Sequence, residues 1–325
     1  MAAVVNFNRS FKSVSNTDDA RVLWDSEMHV RNLKVILSYD GSDFAGWQVQ
    51  PGRKTVQGML ASAIGRLTGE NVLPQGSGRT DAGVHALAQV ATFTTVSAIP
   101  VENWVIALND VLPASIRVLE VSEQAADFHA RKSARAKTYR YRIYRGAICP
   151  PFLARYVWHY PYPLNEGAMA EAAGLIVGKH DFTSFAAVDP ERVERMGGGA
   201  GVADRGTDSG VDKIEDSHEE GGPAAGDGQP SDARHAEEQP ASGRTTNIRE
   251  IFSSGWTREG EELVYTVRGN GFLHHMVRNL VGTFVLVGKG TVSPRDFERI
   301  LAARARSAAG PTAPASGLFL VGVEY

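Results

Sequence analysis

Apolar positions alternate along some stretches of this chain and recur every three or four residues along others. Residues 32–40 (NLKVILSYD) alternate and predict a strand, as do 87–95 and 115–121. Val56, Leu60, Ile64 and Leu67 fall at helical spacing and predict a helix over 55–67, and a second helix is predicted over 101–112. In 137–145 (KTYRYRIYR), alternation places Tyr139, Tyr141 and Ile143 on one face and Thr138, Arg140, Arg142 and Tyr144 on the other. Residues 164–177 read as helix. Strands over 250–258 and 262–269 flank Glu259, Gly260 and Glu261 as a hairpin. Helices are predicted over 272–287 and 293–303, and a closing strand over 318–325. Strands and helices mix without the regular βαβ rhythm of a doubly wound sheet. The pattern predicts an α+β fold of two halves meeting at a cleft.

Two stretches lack such periodicity. Residues 1–28 are polar and carry Asp18, Asp19, Asp25 and Glu27, which speaks against a signal or transit peptide. Residues 188–243 hold 14 acidic and 5 basic residues, 11 glycines and 4 prolines, and no Phe, Trp or Tyr. Such a segment buries too little apolar surface to offset chain entropy and is expected to be disordered. It is either a regulatory acidic segment or a tolerated surface insertion, because lengthening a loop costs little.

Charge changes meaning once that segment is set apart. The whole 325-residue chain is at −3, which argues against a nucleic-acid partner. Without 188–243, 29 of the 34 basic and 23 of the 37 acidic residues remain, a net of +6. Apolar residues make up 42 % of the chain, enough for a core without metal or disulfide support. The single cysteine, Cys149, excludes an intramolecular disulfide and a cysteine-rich metal site. No apolar run reaches the roughly 18 residues of a membrane span, so a cytoplasmic protein is expected.

Three segments carry candidate chemistry. Residues 76–86 (GSGRTDAGVHA) interleave Gly76, Gly78 and Gly83 with Arg79, Thr80, Asp81 and His85. A tight polar loop of this kind belongs in a surface cleft, unless Asp81 merely satisfies backbone N–H groups in a turn. Residues 269–283 (GNGFLHHMVRNLVGT) put Arg278 on an otherwise apolar helix, where it is either a solvated surface residue or a buried cation that needs a carboxylate. The tandem His274–His275 could suggest a metal. Adjacent residues on a helix point about 100° apart, however, and no third ligand stands at a typical spacing, so no metal is expected. Residues 128–145 (FHARKSARAKTYRYRIYR) hold seven Lys or Arg and no acid, interleaved with Tyr139, Tyr141 and Tyr144. Cations with aromatics suit phosphates and unstacked bases, although a charged edge strand reads the same way.

These segments together resemble the tRNA pseudouridine synthase A family. GRTDAGVHA at 78–86 looks like its signature. YDGSDFAGWQVQP at 39–51, TVQGML at 55–60, the basic tyrosine strand at 128–144, GKHDFTSFAA at 178–187, GNGFLHHMVRNLVGT at 269–283 and AGPTAPASGLFLVGVEY at 309–325 follow in the family's order. The acidic insertion is the departure. The resemblance implies the pseudouridine synthase fold: two α+β halves sharing a mixed, mainly antiparallel sheet with a central active-site cleft. It divides the chain into a tail, 1–28; an N-terminal half with the catalytic loop, 29–127; a C-terminal half, 128–187 and 244–325; and the insertion, 188–243. It further implies isomerisation of uridine to pseudouridine at positions 38, 39 and 40 of the tRNA anticodon stem-loop, by a homodimer without cofactor or metal. By the same resemblance Asp81 is the catalytic aspartate and Arg278 its ion-pair partner. Tyr139 stacks on the uracil and serves the proton transfer at C5, and Arg79 supports the flipped nucleotide. Phe272 and Leu273 wall the pocket or pack the core, His85 is structural, and Lys132, Arg135, Lys137, Arg140 and Arg142 are candidate phosphate contacts.

Overall fold

A computed structural model describes residues 29–187 and 246–325; the N-terminal tail and the acidic insertion of the sequence reading lie outside them. In chain order the elements are β1 (Arg31–Tyr39), α1 (Val56–Thr68), β2 (Gln75–Gly76), β3 (His85–Thr95), α2 (Val101–Val111), β4 (Ile116–Gln124), β5 (Ala136–Tyr144) and β6 (Trp158–His159). After these come α3 (Glu166–Gly174), β7 (Gly178–Asp181), β8 (Ile248–Glu259), β9 (Glu262–Gly269), α4 (Met276–Gly288), α5 (Pro294–Ala303) and β10 (Leu318–Glu324).

All ten of these strands join one mixed sheet. Its main path runs β4-β1-β3-β10-β5-β9-β8-β7, with β2 added to β3 and β6 to β5. The pairs β10–β3 and β5–β6 are parallel and the others antiparallel. The α+β class read from the sequence is therefore the observed one. The last strand, β10, sits between β3 and β5 and joins the two groups of strands into one surface. Two-residue strands such as β2 and β6 are too short to show alternation, which is why the sequence reading lacked them.

Local chemistry sets the helix ends. The Thr55 hydroxyl accepts from the Gly58 N–H to start α1, and Gly69, at φ 76°, ends it. Ser293 and Asp296 form a reciprocal capping box at α5, with Pro294 at its first position. Of the residues at helical spacing, α1 buries Val56, Leu60 and Ile64, while Leu67 is partly buried; Ala63 is buried as well. Trp104 of α2 packs edge-on against Phe93 at 5.5 Å, and Phe284 of α4 packs on Phe297 at 5.0 Å and Tyr265 at 5.2 Å.

One helix differs from its expectation in a way that matters for the site. The sequence reading starts it at 272, but α4 begins at Met276. His275 adopts a left-handed conformation at φ 58°, so 274–275 form a turn and 272–275 are not a first helical turn. Among the described residues no helix is long and apolar enough to cross a membrane.

Candidate active site

The loop between β2 and β3 carries Asp81, and neighbouring backbone fixes that loop. The Trp47 N–H donates to the Thr80 carbonyl at 3.0 Å, and Gly83 N–H donates to the Phe44 carbonyl at 3.3 Å. A Cβ at Gly41 would stand 1.9 Å from the Val84 carbonyl oxygen, so only glycine lets the 41–47 turn lie this close. The Tyr39 hydroxyl meets the Thr80 hydroxyl at 2.8 Å, and Gln89 Nε2 donates to the Gly78 carbonyl at 2.9 Å. Lys137 Nζ donates to the Ser77 carbonyl at 2.7 Å. Burial, then the nearby charges of Arg131 and Arg249, pull the Lys137 ammonium down to about 8.

His85 closes the loop as a structural residue. Its Nδ1 accepts from the Gly41 N–H at 3.1 Å, its Nε2 lies 3.1 Å from the Arg155 carbonyl, and its ring stacks on Phe319 at 4.7 Å. Burial lowers its affinity for a proton more than Asp40, 3.2 Å away, raises it. The imidazole is therefore neutral, with Nε2–H donating to Arg155 and Nδ1 free to accept.

Arg278 reaches Asp81 from α4, 197 residues later in the chain. Its Nη1 donates to Asp81 Oδ2 at 2.9 Å and its Nε to the Ala313 carbonyl at 2.8 Å. Their side chains are 15 % and 18 % exposed, so Arg278 is a mostly buried, paired cation and not a solvated one. The 306–313 segment that supplies Ala313 is itself tied to α4. Asn279 Oδ1 accepts from Thr312 Oγ1 at 2.7 Å and from Arg306 Nη2 at 3.1 Å. A Cβ on Gly282 would sit 1.7 Å from the Pro311 oxygen. Both hydrogen bonds of Arg278 thus start from a fixed frame.

Tyr139 of β5 is buried, its ring edge-on to Phe272 at 4.9 Å. A Cβ built on Gly78 would lie 3.9 Å from its hydroxyl. Burial, followed by the neighbouring Tyr39 and Asp81, pushes its phenol well above the ordinary range and keeps it neutral. Arg79 is half-buried in the same loop, two residues before Asp81. The structure therefore gathers Asp81, Arg278, Tyr139 and Phe272 at one place. Arg142 is turned elsewhere, in a bidentate pair with Glu262 at 2.6 Å for both bonds, so a carboxylate already occupies this candidate phosphate contact.

Two residues that the sequence reading set aside also stand here. His274 Nε2 lies 3.6 Å from Asp81 Oδ1, and His275 Nε2 lies 3.4 Å from Asp81 Oδ2. The expectation that adjacent histidines diverge fails because they precede α4: the left-handed His275 brings the two rings to 4.0 Å centroid separation. The donor atoms of Asp81, His274 and His275 all lie within 4.8 Å of one another, a set able to hold a metal ion.

A loop carboxylate clamped by a distant arginine, beside a neutral buried tyrosine, marks this ten-stranded mixed sheet as an α+β enzyme scaffold. The family model described as tRNA pseudouridine synthase matches residues 35–131 and 231–325. The tRNA pseudouridine synthase A of Solibacter usitatus (strain Ellin6076) is 45 % identical over 296 residues, covering 91 % of this chain and 100 % of that protein. That of Moorella thermoacetica is 43 % identical over 295 residues, covering 90 % and 99 %. That of Halalkalibacterium halodurans is 39 % identical over 290 residues, covering 89 % and 90 %. The chain belongs to the tRNA pseudouridine synthase family, a family of isomerases.

Proposed function

We propose that this chain isomerises uridine to pseudouridine at positions 38, 39 and 40 of the tRNA anticodon stem-loop, with Asp81 as the catalytic carboxylate. The observation that carries the reading is the Asp81–Arg278 pair, assembled across 197 residues beside Tyr139. The reaction breaks the C1′–N1 bond, turns the uracil, forms a C1′–C5 bond, and moves one proton from C5 while N1 gains one. No atom is added or removed overall, and the reading includes no cofactor. An ionised carboxylate at the sugar serves this chemistry, either by attacking C1′ or by taking a proton from C2′. Arg278, paired with Oδ2 at 2.9 Å, orients the carboxylate and fixes which oxygen faces the substrate.

The target base is in or beside a stem and must be flipped out, at a cost of a few kcal/mol. Tyr139 and Phe272 offer an aromatic wall for the extruded uracil. Because burial keeps the Tyr139 phenol neutral, it relays the C5 proton and does not act as a standing phenolate. Arg79, in the same loop, is read as the support of the flipped state. Lys137 adds a cationic rim on the tyrosine face of β5.

The reading includes a homodimer. Ile148 and Phe152, 84 % and 88 % exposed between β5 and β6, supply apolar surface for such a contact. The test is tritium release from C5-labelled uridine in tRNA, followed by mapping of the modified positions. Release with modification confined to 38–40 supports the reading. Binding without release instead indicates a non-catalytic RNA-binding protein on this fold.

A further inference from the structure

We propose that Asp81, His274 and His275 form a binding site for a divalent transition metal ion of the Zn2+ type, and that its occupancy blocks the uridine site. Zn–N and Zn–O bonds of about 2.0–2.2 Å place tetrahedral ligand atoms about 3.3–3.6 Å apart. The two Nε2···O separations are 3.6 and 3.4 Å. Both exceed the roughly 2.7–3.2 Å of an ordinary N–H···O hydrogen bond. Each ring nitrogen thus stands at such a spacing from one of the two carboxylate oxygens, and all the ligand atoms lie within 4.8 Å of one another.

The backbone holds this aim. A non-glycine residue at φ 58° is uncommon, and at His275 it is what turns two successive rings towards one carboxylate. The His274 carbonyl is anchored as well, accepting from the Ala187 N–H at 3.0 Å. Two imidazole nitrogens with one carboxylate select borderline metals such as Zn2+ over Mg2+ or Ca2+, which take mainly oxygen. Three protein ligands leave a fourth position open. Arg278, on Oδ2, opposes any cation here, so a metal that forms partly covalent bonds to nitrogen is favoured over a hard ion held by charge alone.

The metal is an inhibitor and not a participant: it takes up the Asp81 oxygens that the proposed isomerisation needs. Only this blocking claim rests on the proposed function; the binding site rests on geometry. The test uses the full chain, with Zn2+ affinity measured by competition against a chromophoric chelator and Co2+ as a spectroscopic probe. The variants are His274→Gln, His275→Asn, which tolerates the left-handed backbone, and Asp81→Asn, with circular dichroism to verify folding.

The expected result is one Zn2+ per chain at this site, not displaced by Mg2+. Affinity should fall at least about tenfold in each variant, the loss seen even when only an outer partner of a ligand is removed. The Co2+ band of four-coordinate geometry should disappear in the same variants. Zn2+ should inhibit tritium release in competition with tRNA, with relief by a chelator. Unchanged Zn2+ affinity across the three folded variants overturns the site. Undiminished tritium release at saturating Zn2+ overturns the blocking claim. If wild type releases no tritium at all, the proposed function fails while the affinity comparison still decides the site.

Discussion

Replacing Arg278 with methionine removes the guanidinium paired with Asp81 while keeping most of the side chain's volume. Two unit charges about 4 Å apart interact by about 4 kcal/mol at an effective dielectric of about 20. Breaking a fully buried pair by deleting one partner costs about 3–5 kcal/mol. Here both side chains keep some solvent, at 15 % and 18 % exposure, so the lower end, about 3 kcal/mol, is the appropriate figure. Where that energy holds the carboxylate in its reactive position, it corresponds to a loss of about 150-fold in kcat. Arg278→Lys should fall between, because one ammonium cannot reach both Asp81 and the Ala313 carbonyl as Nη1 and Nε do. The assay is single-turnover tritium release from saturating C5-labelled tRNA, with thermal unfolding to show that each variant is folded. A folded Arg278→Met protein within threefold of wild-type kcat would refute the coupling of this pair to the reaction.

Three further outcomes follow from the same geometry. Tyr139→Phe keeps the ring against Phe272 and loses the hydroxyl, so kcat should drop by about 10²–10⁴-fold while tRNA affinity stays within a few-fold. Lys137 should titrate near pH 8 by NMR. Because its folded value is depressed from 10.5, the unfolded chain binds the extra proton between these limits. Stability against urea should therefore rise with pH from about 8 towards 10, and Lys137→Met should abolish that rise. Deleting residues 188–243 removes a net −9 whose attachment at Ala187 donates to the His274 carbonyl beside the site, so tRNA binding should tighten at low salt and converge on wild type at high salt. Weaker binding by the deletion protein at low salt contradicts this.

Much of the scaffold was legible because periodicity reports burial. Tyr139, Tyr141 and Ile143 alternate in the sequence and are buried together in β5. Val56, Leu60 and Ile64 repeat at helical spacing and face the core from α1. The parallel seating of β10 beside β3 was not legible, since a strand's partner is set by tertiary packing. Arg278 on an apolar helix fitted a solvated surface residue as well as a buried cation needing a carboxylate; the family resemblance supplied the pairing with Asp81. The histidine pair was misread because helical periodicity continues through His274 and His275 while the backbone does not. The left-handed angle at His275 leaves no trace in an apolar pattern, and the two glycines at 269 and 271 were the only local hint that the helix starts late.

The central claim is that the Asp81 carboxylate performs the chemistry. The direct measurement is tritium release from C5-labelled tRNA, with wild type and Asp81→Asn side by side and tRNA affinity measured for both. The account predicts release by wild type, none above background by Asp81→Asn, and closely similar affinities. Substantial release by a folded Asp81→Asn protein would contradict it.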